Sequence, residues 1–376
     1  MSMRVMMLGP FPRSLARIDG GVAAATTYLS QALSKTADIE LIGVRVAGTA
    51  STREPTENLG WPIVDLDLGR FSVSTFFRRQ RRDFDALLRR YKPDLVHAQG
   101  ADASGYLAVK SGWPAVVTIH GILSECARLR TNLIKRLREL AQAQLTEHYV
   151  VERAAHIIAI SPYVGNFYRS RLLGTIHDVP NAVAPQFFEL ERRPESGRLL
   201  FAGRISRGKG LVDLIHAVAR VSGTVSEVIL AGAVPDRDFA SQLRAVIEET
   251  GQTSKFDITG LLDEQSLLHE FAKASALVLP SYQETAPMVI QQAMAAGLPV
   301  IASRVGGIPH QIDDEASGLL FDAGDINQLA DRLTQVLTDQ KLSRRLAVAA
   351  QAKATELFTA ERVASATRAA YQRVLA

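Results

Sequence analysis

Glu284 stands in the stretch PSYQETAPMVIQQAMAAGLP, residues 280–299. The apolar run Ala276–Leu279 before it reads as a buried strand, and a helix is expected to start near Pro287. A carboxylate placed there lies at the carboxyl edge of a parallel sheet, where open α/β folds bind ligands. The opening turn of a helix leaves N–H groups without intrahelical partners, and these favour an anion. An acid that accepts from hydroxyls, beside amides that accept phosphate charge, suggests a site for a nucleotide-linked sugar. A second constellation is FAGRISRGKG, residues 201–210. A strand ends at Ala202, a loop carries Arg204 and Lys209, and a helix opens near Leu211. Gly203, Gly208 and Gly210 let the backbone approach a ligand closely. Arg204 offers a planar two-point contact to phosphate and Lys209 a point charge. The loop fits neither GxxxxGK[ST] nor GxGxxG, and taken alone it also fits a plain basic surface loop.

Elements that would position these residues recur along the chain. Short apolar runs occur at 5–8, 41–46, 95–97, 116–120 and 157–160, then at 199–202, 228–231, 256–258, 277–279, 300–302 and 319–321. Such runs alternating with helical patterns indicate parallel sheets covered on both faces. Two series fit two Rossmann-like domains better than a single sheet of eleven strands. The 376 residues are long enough for both. Pro180, Pro185, Pro194 and a charged run place the break between them within 177–200. The expected division is 1–185, 186–355 and a final helix, 356–376. The loops at 203–210 and 280–287 follow the first and fourth strands of the second series, which a doubly wound sheet brings to one crevice.

Bulk properties exclude several classes. At 47% hydrophobic and 22% charged residues, the chain is a globular protein with a full core. No apolar run approaches the ~18 residues of a membrane span, and the first ten residues are too short in apolar length for a signal peptide core. Cys126 is the single cysteine, which rules out an intrachain disulfide and fits a reducing, cytoplasmic compartment. A buried or half-buried thiol is expected there. The eight histidines are scattered, with no HExxH and no carboxylate cluster, so a metal-independent diphosphate site is the simpler reading.

Read together, Gly20–Gly21, His97, His120, Ser161, PNAV at 180–183, AGRISRGKG, ITG at 258–260, PSYQET, AMAAGLPV and GGIP at 306–309 resemble a retaining glycosyltransferase of the GT-B fold, in the glycosyltransferase group 1 (family 4) superfamily. The match runs over nearly the whole chain in the family's order. The resemblance implies two Rossmann-like α/β domains whose parallel sheets face across a cleft. The N-terminal domain would take the acceptor and the C-terminal domain the nucleotide-sugar. It further implies that Arg204 and Lys209 hold the donor diphosphate, that Glu284 accepts from donor sugar hydroxyls, and that amides at Met288 and Val289 meet the phosphates. Pro287 would occupy the first helical position. Gly203, Gly260, Thr285 and Ala286 would complete the donor site, and Gly20 and Gly21 would form a loop facing the diphosphate. His120 would contact the sugar near the reacting carbon; its alternative is a hydrogen-bonded histidine at a strand end, and for His97 that alternative is preferred. No cofactor is implied beyond the donor substrate. Retention would proceed by assistance from the leaving diphosphate, with the protein supplying position and electrostatics.

Two departures stand out. The family motif carries a second glutamate eight positions after the first, and here that position is Gln292. Gln keeps one carbonyl acceptor for a ribose hydroxyl but has no charge. Thr285, Ala286 and Pro287 also replace the more frequent Gly-aromatic-Gly, which bears on the sugar.

Residues 1–185 hold 23 Lys and Arg against 16 Asp and Glu, and the remainder 20 against 23. The basic excess gathers in two runs, from Arg78 to Lys92 and from Arg128 to Arg138. Leu129, Leu133, Leu137 and Leu140 form a helical stripe in the second, which reads either as a core-facing stripe beneath a solvated basic face or as a surface for anionic lipid. The Arg78 run, with Phe76, Phe77 and Phe84, admits the same reading. The expected acceptor is a saccharide or a polyprenyl-diphosphate-linked saccharide, in cell-surface polysaccharide, lipopolysaccharide or glycolipid synthesis, with the enzyme peripheral on the inner membrane face. Nucleic acid is disfavoured, since the excess is modest and no such motif accompanies it. The rival readings are a UDP-sugar epimerase of the same fold and a non-catalytic nucleotide-sugar binder. A nicotinamide dehydrogenase is disfavoured because the first βα turn lacks GxGxxG.

Overall fold

The structure, a computed structural model, describes residues 2–47, 59–69, 75–128, 133–221 and 223–376. The charged segment 47–58, expected from its composition to be a surface loop, falls almost wholly outside these, as do Leu129 and Arg130 of the second basic run. The chain forms two compact units: Met1–Leu15, Val22–Ala182 and Ala360–Ala376 in the first, Ala16–Gly21 and Val183–Thr359 in the second.

Among the described residues, the first unit is built on a seven-stranded parallel sheet. Its strands are β1 (Met3–Gly9), β2 (Ile39–Ala47), β3 (Ile63–Asp67), β4 (Leu95–Gln99), β5 (Ala115–Ile119), β6 (His156–Ala159) and β7 (Thr175–Asp178). They lie in the order β3-β2-β1-β4-β5-β6-β7. The second unit has β8 (Arg198–Ala202), β9 (Glu227–Ala231), β10 (Phe256–Gly260), β11 (Ala276–Leu279), β12 (Val300–Ser303) and β13 (Leu319–Phe321), in the order β10-β9-β8-β11-β12-β13. All pairings are parallel. These are two Rossmann-like α/β domains. In each, the winding reverses between the first and fourth strands, which are neighbours, and this leaves a crevice at their carboxyl ends.

The central strands β8 and β11 are buried at every residue, as expected of strands covered on both faces. The apolar runs of the second half all become strands. In the first half β3 and β7 were not anticipated. Both are sheet edges. Thr175 and Asp178 of β7 are exposed, so it shows no continuous apolar run.

Apart from the excursion Ala16–Gly21, the chain crosses between units at Val183 and at Ala360, where 186 and 356 were expected. The two crossing segments bind each other there: the Val183 amide donates to Phe358 O at 2.8 Å, and Val183 and Thr359 form a parallel bridge. The last helix, Ala360–Leu375, belongs to the first unit and buries Val363, Ala364 and Tyr371.

Three local expectations are corrected. Cys126 is exposed, because it sits on the outer side of the short helix Leu123–Arg128, whose Ala127 takes the buried place. The basic run from Arg128 to Arg138 is not one helix: helices span Leu123–Arg128 and Leu133–Leu145. Leu133, Ile134 and Leu137 are 65%, 79% and 58% exposed, so their stripe faces no core. The helix Arg78–Tyr91 does the opposite. Phe77, Phe84 and Leu88 are buried, and only Phe76 of its aromatic group remains exposed.

Candidate functional site: a charged pair at the switch point of the second sheet

The site grows from the two βα turns that flank the switch point. After β8, Gly203 takes φ +154°, and its carbonyl lies so close to Gly232 that a Cβ on Gly232 would stand 1.9 Å from it. The Gly203 amide donates to Ala231 O at 2.8 Å. A 3-10 turn, Arg207–Lys209, then leads to Gly210 at φ +63°. A Cβ on Gly210 would stand 1.9 Å from Pro280 O, and the Tyr282 amide donates to Gly208 O at 2.9 Å. The loop after β8 is thus locked against the segment after β11 by backbone contacts that only glycine permits.

That lock brings Lys209 to Glu284, 75 positions away. Lys209 Nζ forms an ion pair with Glu284 Oε1, which also accepts from Ser281 Oγ at 2.7 Å. The Glu284 side chain is 11% exposed and that of Lys209 24%. The Glu284 backbone is held as well: its carbonyl accepts from the Gly307 amide at 3.1 Å. A Cβ on Gly306, at φ +52°, would stand 1.8 Å from the same oxygen. Ser303 Oγ in turn donates to Ser281 O. Arg204 is exposed and has no ion-pair partner among the described residues.

The helix beyond Glu284 is Met288–Ala295. Pro287 is its N-cap at φ −65°, ψ 121°, not its first helical residue as expected, because its ψ is extended and the helix turns only after it. The Ile290 amide donates to Pro287 O at 3.1 Å. The Met288 and Val289 amides lack intrahelical partners and make no other hydrogen bond among the described residues. Thr285, Ala286 and Met288 are buried, and Val289 is half-buried. Gln292, one turn further, is 6% exposed, and its side chain makes no hydrogen bond among the described residues. Gly260 ends β10 at φ +75°, and its carbonyl accepts from the Gly232 amide at 2.8 Å, which ties it to the Gly203 turn. Gly20, at φ +92°, and Gly21 close the segment that groups with this unit. The structure therefore gathers two cations, one carboxylate and a pair of open amides around the β8–β11 turns. Such a set can take a doubly charged phosphate group and hydroxyls at once.

His120 lies in the first unit, directly after β5. Its Nε2 is 2.7 Å from Gln99 Oε1, and Asn181 bonds the ring as well. Burial lowers its pKa to about 4, the Asn181 bond opposing, so the ring is neutral near pH 7. His97 is fully buried, with Nδ1 2.7 Å from Tyr371 Oη and Nε2 2.7 Å from Thr118 Oγ1. Burial, with His120 nearby, lowers its pKa to about 3. Glu147, itself fully buried, accepts from the Leu123 amide, from the Ser124 amide at 3.3 Å and from Ser124 Oγ at 2.8 Å. It pins the helix that starts three residues past His120.

Gln99, Glu147, Ser281 and Ser303 support these groups, and none of the four was expected among the site residues. For Gln99 a signal existed. His97 and Gln99 are two apart on β4, so they share a face, as do Thr118 and His120 at the end of β5, and β4 pairs Gln99 with Thr118. Four polar side chains on one face of an otherwise apolar sheet mark a built network.

Two family descriptions tile the chain: Glycosyl transferases group 1 over residues 184–353 and Glycosyltransferase Family 4 over residues 19–187. The chain belongs to this glycosyltransferase family. The alpha-maltose-1-phosphate synthase of Mycolicibacterium smegmatis is 31% identical over 184 residues, 47% of this chain and 48% of that protein. The glycogen synthase of Mycobacterium tuberculosis is 28% identical over 349 residues, 88% of this chain and 80% of that one. Among solved structures, the sucrose-phosphate synthase of Thermosynechococcus elongatus shares the fold at a TM-score of 0.82 and 21% identity, covering 99% of each chain. Anabaena Alr3699/HepE, solved in complex with UDP-glucose, does so at 0.75 and 18%, covering 99% of each. The solved relatives are GT-B glycosyltransferases.

Proposed function

We propose that the protein moves a sugar from a nucleotide-diphosphate-sugar to a saccharide or lipid-linked saccharide, with retention of anomeric configuration and without a metal ion. The observation that carries this is the meeting of Lys209, Glu284, Arg204 and the Met288 and Val289 amides at the switch point of the second sheet. Arg204 and the open amides hold the diphosphate and take up the charge that grows on it as the glycosidic bond breaks. Lys209 leans from Glu284 to the same phosphate oxygens. Glu284 orients the sugar hydroxyls, and Gln292 accepts from a ribose hydroxyl. His120, neutral, contributes a dipole toward the sugar rather than a charge. Glu284, the carboxylate of this site, is already paired with Lys209 among the described residues, which accords with assistance from the leaving diphosphate.

The first unit takes the acceptor. Leu133, Ile134 and Leu137 are exposed beside Arg136 and Arg138, and this supports contact with an anionic membrane surface on the cytoplasmic side. The Arg78–Tyr91 helix adds only its charged face, since its apolar side is buried. No helix among the described residues is long and apolar enough to cross a membrane. A place in cell-surface polysaccharide, lipopolysaccharide or glycolipid synthesis follows from such an acceptor.

Thermal shift against a panel of UDP-, GDP- and ADP-sugars identifies the donor, because a ligand that binds only the folded state raises the melting temperature. NMR of the product then reads the anomeric configuration. An inverted anomer overturns retention. Conversion of the donor by itself into an epimer identifies the rival epimerase, and binding without hydrolysis or transfer identifies a non-catalytic binder. Flotation with anionic liposomes tests the membrane contact, and protein left in solution removes it.

A further inference from the structure

His120 does not stand alone, and the groups behind it fix which of its nitrogens carries the proton. Gln99 Oε1 lies 2.7 Å from His120 Nε2. The Gln99 amide nitrogen lies on the other side, 3.0 Å from His97 Nε2, 3.4 Å from His97 Nδ1 and 3.6 Å from Met7 Sδ. Distances that similar to both ring nitrogens put the amide against the His97 ring rather than along one lone pair. A thioether sulfur and the face of a neutral imidazole both lack protons to give, so the end of Gln99 that meets them is the N–H₂ donor. The carbonyl end therefore faces His120, and His120 Nε2 must donate to it. The ring of His97 cannot turn to undo this. Its two nitrogens are held at 2.7 Å by Tyr371 Oη and by Thr118 Oγ1. Gln99 and His97 are 2% and 0% exposed, and Tyr371 arrives from the last helix of the same unit, also at 0%.

We infer that Gln99 is a positioning residue that holds His120 in its Nε2–H form, with the His97–Tyr371 pair locking the Gln99 amide in the one orientation that does so. The order of action is Tyr371 and Thr118 on His97, His97 on Gln99, and Gln99 on His120. His120 then offers a ring of fixed tautomer and fixed tilt beside Asn181, and the last helix of the chain becomes part of the support of the site. The functional half of this inference rests on the reading that His120 addresses the donor sugar; the tautomer half does not.

The experiment is long-range ¹H–¹⁵N NMR of histidine-labelled protein, with His120 assigned by comparison with His120→Asn. The wild-type protein is expected to show His120 as the Nε2–H tautomer, and an Nδ1–H signature there overturns the inference before any variant of Gln99 is made. Gln99→Leu removes the acceptor and is expected to give a mixed or Nδ1–H signature, with kcat reduced about tenfold or more and donor KM changed less. Gln99→Glu keeps an acceptor toward His120 but loses the amide donor toward His97 and Met7; it is expected to leave Nε2 protonated and to keep more of kcat than Gln99→Leu. Thermal melts accompany each variant; if Gln99→Leu does not fold, the wild-type and Gln99→Glu spectra still decide. A Gln99→Leu spectrum unchanged from wild type overturns the role of Gln99. A changed spectrum with unchanged kcat overturns instead the assignment of His120 to the donor sugar.

Discussion

Glu284→Gln separates charge from shape at the centre of the site. The substitution leaves an oxygen that accepts from Lys209 Nζ and Ser281 Oγ, but it removes the negative charge from a side chain only 11% exposed. Hydrogen bonds to charged groups contribute about 1.5–3 kcal/mol and neutral ones about 0.5–1.5, so the Lys209 contact loses about 1 kcal/mol. In a unit of this size, that lowers the melting temperature by about 2–4 °C. The same difference applies to each sugar hydroxyl that Glu284 receives. With two such hydroxyls the transition state loses about 2–3 kcal/mol, and kcat/KM falls about 30- to 150-fold. Lys209→Met removes the other partner and leaves the Glu284 carboxylate without its counterion. Because the two side chains touch, the double variant is expected to lose less stability than the sum of the singles, by about 1 kcal/mol. The assays are thermal melts of the four proteins and initial rates of transfer. Additive melting shifts, or a Glu284→Gln enzyme within twofold of wild type in kcat/KM, refute this account of the pair.

Further outcomes follow from the same geometry. Gly306→Ala places a Cβ 1.8 Å from Glu284 O at φ +52°, so it is expected to abolish transfer in a protein whose circular dichroism is little changed; retained transfer shows that the Glu284 carbonyl can move without cost. Gln292→Glu adds charge to a side chain that has no partner to lose, and donor Kd measured by calorimetry is expected to fall about 5- to 30-fold, the equivalent of about 1–2 kcal/mol; weaker binding shows that Gln292 donates a bond that Glu cannot. His97 is held neutral, with its pKa lowered to about 3 from 6.5, so below pH 6.5 the unfolded chain takes up a proton that the folded one refuses. The stability of the protein is therefore expected to fall as pH drops from 6.5 toward 3, by about 1.4 kcal/mol per pH unit from this group, and His97→Asn removes that part of the slope in urea titrations.

The second unit was legible because its strands are buried on both faces and so appear as unbroken apolar runs. The edges of the first sheet escaped notice for the complementary reason. Ile63–Asp67 alternates apolar with acidic residues, and Thr175–Asp178 carries two exposed polar ends. The turn residues Gly203, Gly210 and Glu284 could be placed because each lies in the turn that follows a strand. That the two turns share a crevice was legible as well, from the sheet order of a doubly wound domain; the Lys209–Glu284 ion pair itself was not. Gly232 and Gly306 show why composition hides such contacts: each is glycine because a carbonyl 1.8–1.9 Å from a would-be Cβ leaves no other choice. The stripe at Leu133 and Leu137 reads the same whether it faces core or solvent, and only the structure shows it exposed. Pro287 illustrates a boundary set by one torsion angle, which no residue pattern specifies.

In the proposed function, the turns after β8 and β11 bind the donor diphosphate. The decisive experiment is calorimetric titration of the wild-type protein, Arg204→Ala and Lys209→Met with UDP, GDP and ADP. The expected result is saturable binding of one nucleotide by the wild-type protein, weakened about tenfold or more in each variant while the melting temperature without nucleotide changes little in Arg204→Ala. A wild-type protein that binds none of the three, or variants that bind as tightly as it does, would show that these turns do not hold the diphosphate.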